Sequence, residues 1–315
     1  MNKLYEMYEV SSDLASKLQG IDFCMFAAHY DNRSYKINTD LESIQLPLGQ
    51  RIIFNYHKFI PTETVDKEIY DSYKCLRFEH IFDCTSDGDD VNCLIDLDIA
   101  DGSIVGIDIS SFSIPDLFKI IYLLKEIKRV KTIYAFYNEP DHYHFENGVF
   151  TNYEYLQGER KYQTLPGYYS SGDQEDELLV LFLGYDKNVA EYVRKEANTH
   201  EVIAINGFPA YILKSKDWSL MNNYDFLTNL PRDKILSVNA TNPFLVYNSL
   251  VDIKNLYPNY ILNLCVLGSK PMALGACVFS LENSSNVKVT YPYPQHYNTK
   301  TSRSSSKSWC YIIEF

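Results

Sequence analysis

The clearest alternation of apolar and polar positions lies in the second half of the chain. Glu177 to Leu183 is a continuous apolar run of strand length, the pattern of a parallel strand covered on both faces. Gly184-Tyr185-Asp186 breaks it, and Asn188 to Asn198 then carries Val189, Tyr192 and Val193 on one helical face. Glu201 to Asn206, closed by Gly207, predicts a second strand, Lys234 to Asn239 a third and Ile261 to Leu267 a fourth. Between the last two, Pro243 to Tyr257 reads as a helix with proline in its first turn. The turn Gly268-Ser269-Lys270-Pro271 leads into a helix of small residues, Met272 to Leu281, and Val287 to Tyr291 closes the series as a fifth strand. Strands alternating with helices predict a parallel sheet wound on both faces.

The first half repeats this order. Phe23 to Ala28, Arg51 to Asn55, His80 to Cys84, Val105 to Ser110 and Lys131 to Phe136 read as strands, and Pro115 to Lys128 as a helix. Three landmarks recur at a nearly constant offset: Tyr30-Asp31-Asn32 as Tyr185-Asp186-Lys187, Ser113-Ile114-Pro115 as Ser269-Lys270-Pro271, and Pro140-Asp141-His142-Tyr143 as Pro294-Gln295-His296-Tyr297. Asp90 to Ala100 alternates like a strand, but its counterpart lies in the Pro243–Tyr257 helix, so a helix is expected there. The expected fold class is α/β: two tandem Rossmann-like units with mostly parallel sheets covered by helices, related by a pseudo-twofold duplication. The expected boundaries are 1–143 for the first unit, 144–176 for a polar, tyrosine-rich linker, and 177–315 for the second. In the second unit a polar loop, Asn298 to Lys307, leads into a final strand, Ser308 to Phe315.

Composition narrows the function. A 46% apolar content supports real cores, and no apolar run reaches the roughly 18–20 residues that span a bilayer. The amino-terminal residues lack the layout of a secretory signal, so a cytoplasmic protein is expected. The net charge of −12 argues against an extended nucleic-acid surface while leaving room for one small basic pocket. The seven cysteines are scattered without a Cys-x-x-Cys pair, several inside apolar segments, which points to structural thiols; neither a metal nor a cofactor is expected.

Ligands of such sheets bind beyond the carboxyl ends of the strands, where helix amino termini also point. In the second half those ends carry Gly184, Tyr185, Asp186, Asn206, Asn239 and Gly268-Ser269-Lys270. A Gly-Ser-Lys turn entering a helix has the parts of a phosphate site: close backbone approach, a hydroxyl with amides, and a cation. The same residues also suit a plain strand-to-helix turn with a solvated Lys270. The sequence contains neither a Walker loop nor a Gly-x-Gly-x-x-Gly fingerprint. Leu267 to Gly275 resembles the strand-turn-helix signature of CRISPR-associated Rossmann-fold (CARF) sensor domains, in which a Gly-Thr-Lys-Pro-Met-Ala type turn helps bind a cyclic oligonucleotide. The related SAVED sensors of anti-phage systems are viewed as two such units in one chain. The first unit departs from this signature: Ser110-Ser111-Phe112-Ser113-Ile114-Pro115 has neither the glycine nor the lysine.

The leading expectation is therefore a sensor or regulatory protein in anti-phage defence that binds a nucleotide or cyclic oligonucleotide, with an effector protein as a further partner. Gly268, Ser269 and Lys270 would meet phosphate, with Tyr185, Asp186, Asn239 and Arg303 around base and sugar, and Arg33 the first unit's cation. The alternatives are a phosphodiesterase or nucleosidase of the same fold using His296 or Asp186, and a non-catalytic interaction scaffold. Asp186 also suits a helix cap, and the Pro-x-His-Tyr pairs suit turns.

Overall fold

Two sheets, each wrapped by helices, organise the chain. The computed structural model describes residues 6–28, 33–56, 78–84, 90–143, 162–172, 176–186, 189–212, 215–293 and 302–315. The first unit comprises Met1–Tyr143 with Ser302–Phe315, and the second His144–Thr301.

In the first unit the strands are β1 (Glu6–Glu9), β2 (Ile21–Ala28), β3 (Leu48–Asn55), β4 (His80–Asp83), β5 (Ser103–Asp108), β6 (Val130–Tyr143) and the last strand of the chain, β13 (Ser302–Glu314). They lie in the order β1-β13-β6-β5-β2-β3-β4. The stretch from β6 to β4 is parallel throughout, and β13 is antiparallel to both β6 and β1. Helix α1 (Arg33–Ser43) packs Ile37 and Leu41 on one face, against Cys24, Phe26, Phe136, Cys310 and Ile312. Helix α2 (Ile114–Ile127) buries Leu117, Phe118, Ile120, Ile121 and Leu124.

The second unit holds β7 (Tyr162–Thr164), β8 (Glu177–Phe182), β9 (Glu201–Gly207), β10 (Ile235–Val238), β11 (Ile261–Val266) and β12 (Val287–Pro292) in the order β10-β9-β8-β11-β12-β7. Only β7 is antiparallel. Its helices are α3 (Val189–Ala197), α4 (Ser215–Asn222), α5 (Tyr224–Thr228), α6 (Pro243–Leu256) and α7 (Lys270–Glu282). Leu179, Leu181, Val202 and Ala204 meet Val189, Val193, Phe226 and Leu227 in one core layer. On α7, a Cβ at Gly275 would lie 2.3 Å from the Pro243 carbonyl oxygen. Glycine is what allows α6 and α7 to meet at this point.

Each unit thus runs its five parallel strands in chain order 3-2-1-4-5, with one antiparallel strand beside the fifth. That is the doubly wound arrangement, whose switch point lies between the first and fourth strands.

Five expectations change. The final strand joins the first sheet, not the second unit to which 177–315 was assigned: its register with β6 runs from Glu314 opposite Thr132 to Ser302 opposite Tyr143. A local pattern reveals a strand but not its partner. The same ladder holds Pro140 to Tyr143 as strand where a turn was expected, and takes Ser302 to Lys307 out of the expected loop. Part of the expected linker is structured: β7 pairs with β12, Leu165 and Tyr168 are buried, and the Tyr168 hydroxyl lies 3.0 Å from Cys277 Sγ. Finally, the expected Asp90–Ala100 helix is a 3-10 helix over Asp90–Asp96 alone.

Cys24, Cys84, Cys265, Cys277 and Cys310 are buried, and burial pushes the Cys24, Cys265 and Cys310 thiols well above their ordinary range. Because the thiolate is the reactive form, alkylation of the folded protein followed by peptide mass spectrometry is expected to leave these three unmodified until denaturant is added. Rapid native labelling of any of them would contradict this packing.

Candidate functional site

The carboxyl ends of β8, β9, β10 and β11 converge on one edge of the second sheet. At the switch point the chain leaves β8 through Gly184 and β11 through Leu267, and a Cβ at Gly184 would sit 2.7 Å from the Leu267 carbonyl oxygen. Only glycine lets the two exits lie this close. The loop after β8 is clasped from above: Ser219 Oγ and Asn223 Nδ2 donate to the Gly184 carbonyl at 3.1 and 3.0 Å, and Asn222 Nδ2 donates to the Tyr185 carbonyl at 2.5 Å. Tyr185 and Asp186 are half-buried at this edge.

The turn after β11 is built as a helix cap. Ser269 stands at φ −67°, ψ 160°, and its Oγ accepts the Met272 amide at 3.4 Å while donating to the Ala240 carbonyl at 2.5 Å. The hydroxyl proton of Ser269 is therefore committed to the protein. A Cβ at Gly268 would approach Met272 Sδ to 2.9 Å, a contact that the flexible methionine could relieve. Lys270 is the first residue of α7 and is half-buried. Asn239 organises the neighbouring turn: its Oδ1 accepts from the Thr241 amide, the Thr241 hydroxyl and the Asn242 amide at 2.7, 2.7 and 3.1 Å. Its acceptor is saturated, and the amide nitrogen is the part left for a ligand.

Gly184, Tyr185, Asp186, Asn239, Gly268, Ser269 and Lys270 thus share one edge of one sheet. Asn206, near the end of β9, is 3% exposed and its Oδ1 has no hydrogen-bond partner. Such a group carries a desolvation penalty of about 1–3 kcal/mol. Phe208, following β9, and Tyr224, opening α5, are 46% and 64% exposed. Arg33 belongs to the first unit, where it donates to the Ser110 carbonyl at 3.1 Å and lies over the Tyr137 ring. Arg303 is in β13, with its side chain outside the described residues, and His296 lies outside them entirely.

In the first unit the equivalent helix start is built differently. Ser113 caps α2 with nearly the same backbone angles, φ −63°, ψ 161°. Three residues on, where the second unit has Met272, stands Asp116, 1% exposed. Its Oδ2 accepts from the Tyr56 hydroxyl at 2.7 Å and the Ser113 hydroxyl at 2.8 Å, and its amide donates to Ser113 Oγ at 3.2 Å. The start of α2 thus carries an internal carboxylate, with buried Phe112 packed on Phe54 beside it. The sequence reading missed Asp116. The signal was there in Ser113-x-x-Asp116, a capping-box spacing. Asp108, also buried, accepts the Ser110 amide at 2.9 Å.

Among the described residues no three His, Cys, Asp or Glu side chains converge as a metal site, and no helix is long and apolar enough to cross a membrane. No protein-family model matches the chain, and no curated protein matches it. The cytoplasmic domain of a prokaryotic cation chloride cotransporter is similar at 8% identity over 87% of this chain and 96% of that one, with a TM-score of 0.24. A likeness at that level carries no functional argument.

Proposed function

We propose that the strand-end edge of the second unit binds a nucleotide-type anion, with a cyclic oligonucleotide as the ligand class, and that the protein is a sensor whose liganded state an effector protein reads. The observation that carries this reading is the contrast between the two helix starts. In the first unit Asp116 supplies a carboxylate to the start of α2; in the second the same position is Met272, and Lys270 stands at the first helical position. A helix amino terminus favours negative charge, and a lysine beside it adds to that preference. Exposed Phe208 and Tyr224 at the same end of the sheet supply aromatic faces suited to a base. The resemblance of Leu267 to Gly275 to the CARF turn supports the ligand class and an anti-phage setting. Within this reading Ser269 and Asn239 Oδ1 shape the two turns, while Lys270, backbone amides and the Asn239 amide nitrogen meet the ligand.

The test is calorimetric titration with cyclic di-, tri- and tetranucleotides. One of them is expected to bind, and Lys270→Ala to weaken it at least tenfold, equivalent to about 1.4 kcal/mol. Silence with all three, or an unchanged affinity in Lys270→Ala, overturns the proposal.

A further inference from the structure

The opposite end of the second unit carries a different feature. Helix α3 runs back from the carboxyl edge and ends at Asn198, whose positive φ of 50° reverses the chain into Thr199, His200 and β9. The reversal sets these residues beside the last turn of α3, where they line an open groove of about 540 Å³. Its lining includes Arg194, Lys195, Asn198, Thr199 and His200, with Glu191 the one carboxylate. This is a notable concentration of basic groups in a chain of net charge −12.

Three observations point to an anion site. Among the described residues the side chains of Arg194, Lys195 and His200 enter no ion pair or hydrogen bond, although Glu191 is one helical turn from Lys195. Thr199 lines the groove, and its Oγ1, which has almost no exposed surface, has no hydrogen-bond partner in the protein. The volume lies within the range of roughly 300–1,000 Å³ usual for small-molecule sites. Two cations in a last helical turn also complement the helix dipole. That accounts for Arg194 and Lys195 but not for the unsatisfied hydroxyl, His200 or the concavity.

We propose that this groove is a second site, separate from the strand-end edge, for a small phosphate-bearing metabolite such as a nucleoside diphosphate. A diphosphate has enough acceptor oxygens to engage a guanidinium, an ammonium, an imidazole N–H and a hydroxyl together. One permanent cation beyond the single Glu191 charge suits a compact anion better than a long polyanion.

The experiment titrates the full chain with inorganic pyrophosphate and with ADP at about 0.15 M salt, where exposed charges more than roughly 8 Å apart are largely screened. Saturable one-to-one binding is expected. The double variant Arg194→Gln/Lys195→Gln, on a solvated helix end, should raise Kd at least tenfold, and Thr199→Val about threefold or more. Lys270→Ala should leave this binding unchanged, which separates the outcome from that of the strand-end proposal. The inference is overturned by absence of binding to both probes, or by an unchanged Kd in the double variant. Full retention in Thr199→Val, loss in Lys270→Ala, or tighter binding of a short single-stranded oligonucleotide than of ADP would overturn it as well.

Discussion

Gly275→Ala is expected to destabilise the second unit by about 2–3 kcal/mol, against the gain of about 0.5–1 kcal/mol that glycine-to-alanine changes normally bring within a helix. The sign is the informative part. The new Cβ would lie 2.3 Å from the Pro243 carbonyl oxygen and 2.9 Å from Val246 Cβ, so the first obstacle is backbone at the start of α6. A flexible side chain could swing aside; a carbonyl in the first turn of a helix moves only with the helix. Each unit contains one of the chain's two tryptophans, Trp218 in the second and Trp309 in the first. Urea unfolding followed by Trp218 fluorescence in a Trp309→Phe background therefore reports on the affected unit. A midpoint unchanged or raised by Gly275→Ala would mean that α6 and α7 do not meet at this glycine.

The legibility of such features differed by their range. Strands buried on both faces wrote themselves as mainly apolar runs: Glu177–Phe182 and Ile261–Val266 occur within one residue of where the pattern ends them. Helices α6 and α7 were equally readable, because Pro243 and Pro271 mark their first turns and Asn242 and Ser269 cap them. Partner choice was not readable. Ser308 to Phe315 has the composition of a strand, but nothing local says that Cys310 and Ile312 fill the first unit's core. The polar run from Ser302 to Lys307 resembles a loop, and becomes strand because β6 extends to Tyr143 and offers it a ladder.

At the candidate site, residues singled out by type do share one sheet edge, but residue type does not separate a ligand contact from a structural cap. Ser269 and Gly268 suit a phosphate turn and equally suit a cap packed on Met272, and only the Ser269 bond to the Ala240 carbonyl separates the two. The absence of a lysine in the first unit's turn was visible. The Ser113-x-x-Asp116 spacing also marked Asp116 as a capping residue, but its bond to Tyr56 was not visible, because the two are 60 residues apart and meet only in the fold.

Asp116 carries the second large effect. Asp116→Ala removes the acceptor of a buried Tyr56 hydroxyl and the reciprocal partner of the Ser113 cap. One buried donor left unsatisfied costs about 1–3 kcal/mol and a weakened cap about 1 kcal/mol, so a loss of about 2–4 kcal/mol is expected. Trp309 fluorescence in a Trp218→Phe background, again against urea, measures it in the unit concerned. Asp116→Asn keeps one acceptor oxygen and the shape of the side chain but loses the negative charge at the helix start, and should recover about half of the loss. If alanine and asparagine are equally damaging, the charge rather than the Tyr56 bond is what the site requires. If neither shifts the midpoint, the carboxylate is not closing the start of α2, and the contrast with Lys270 and Met272 that supports ligand binding in the second unit falls with it.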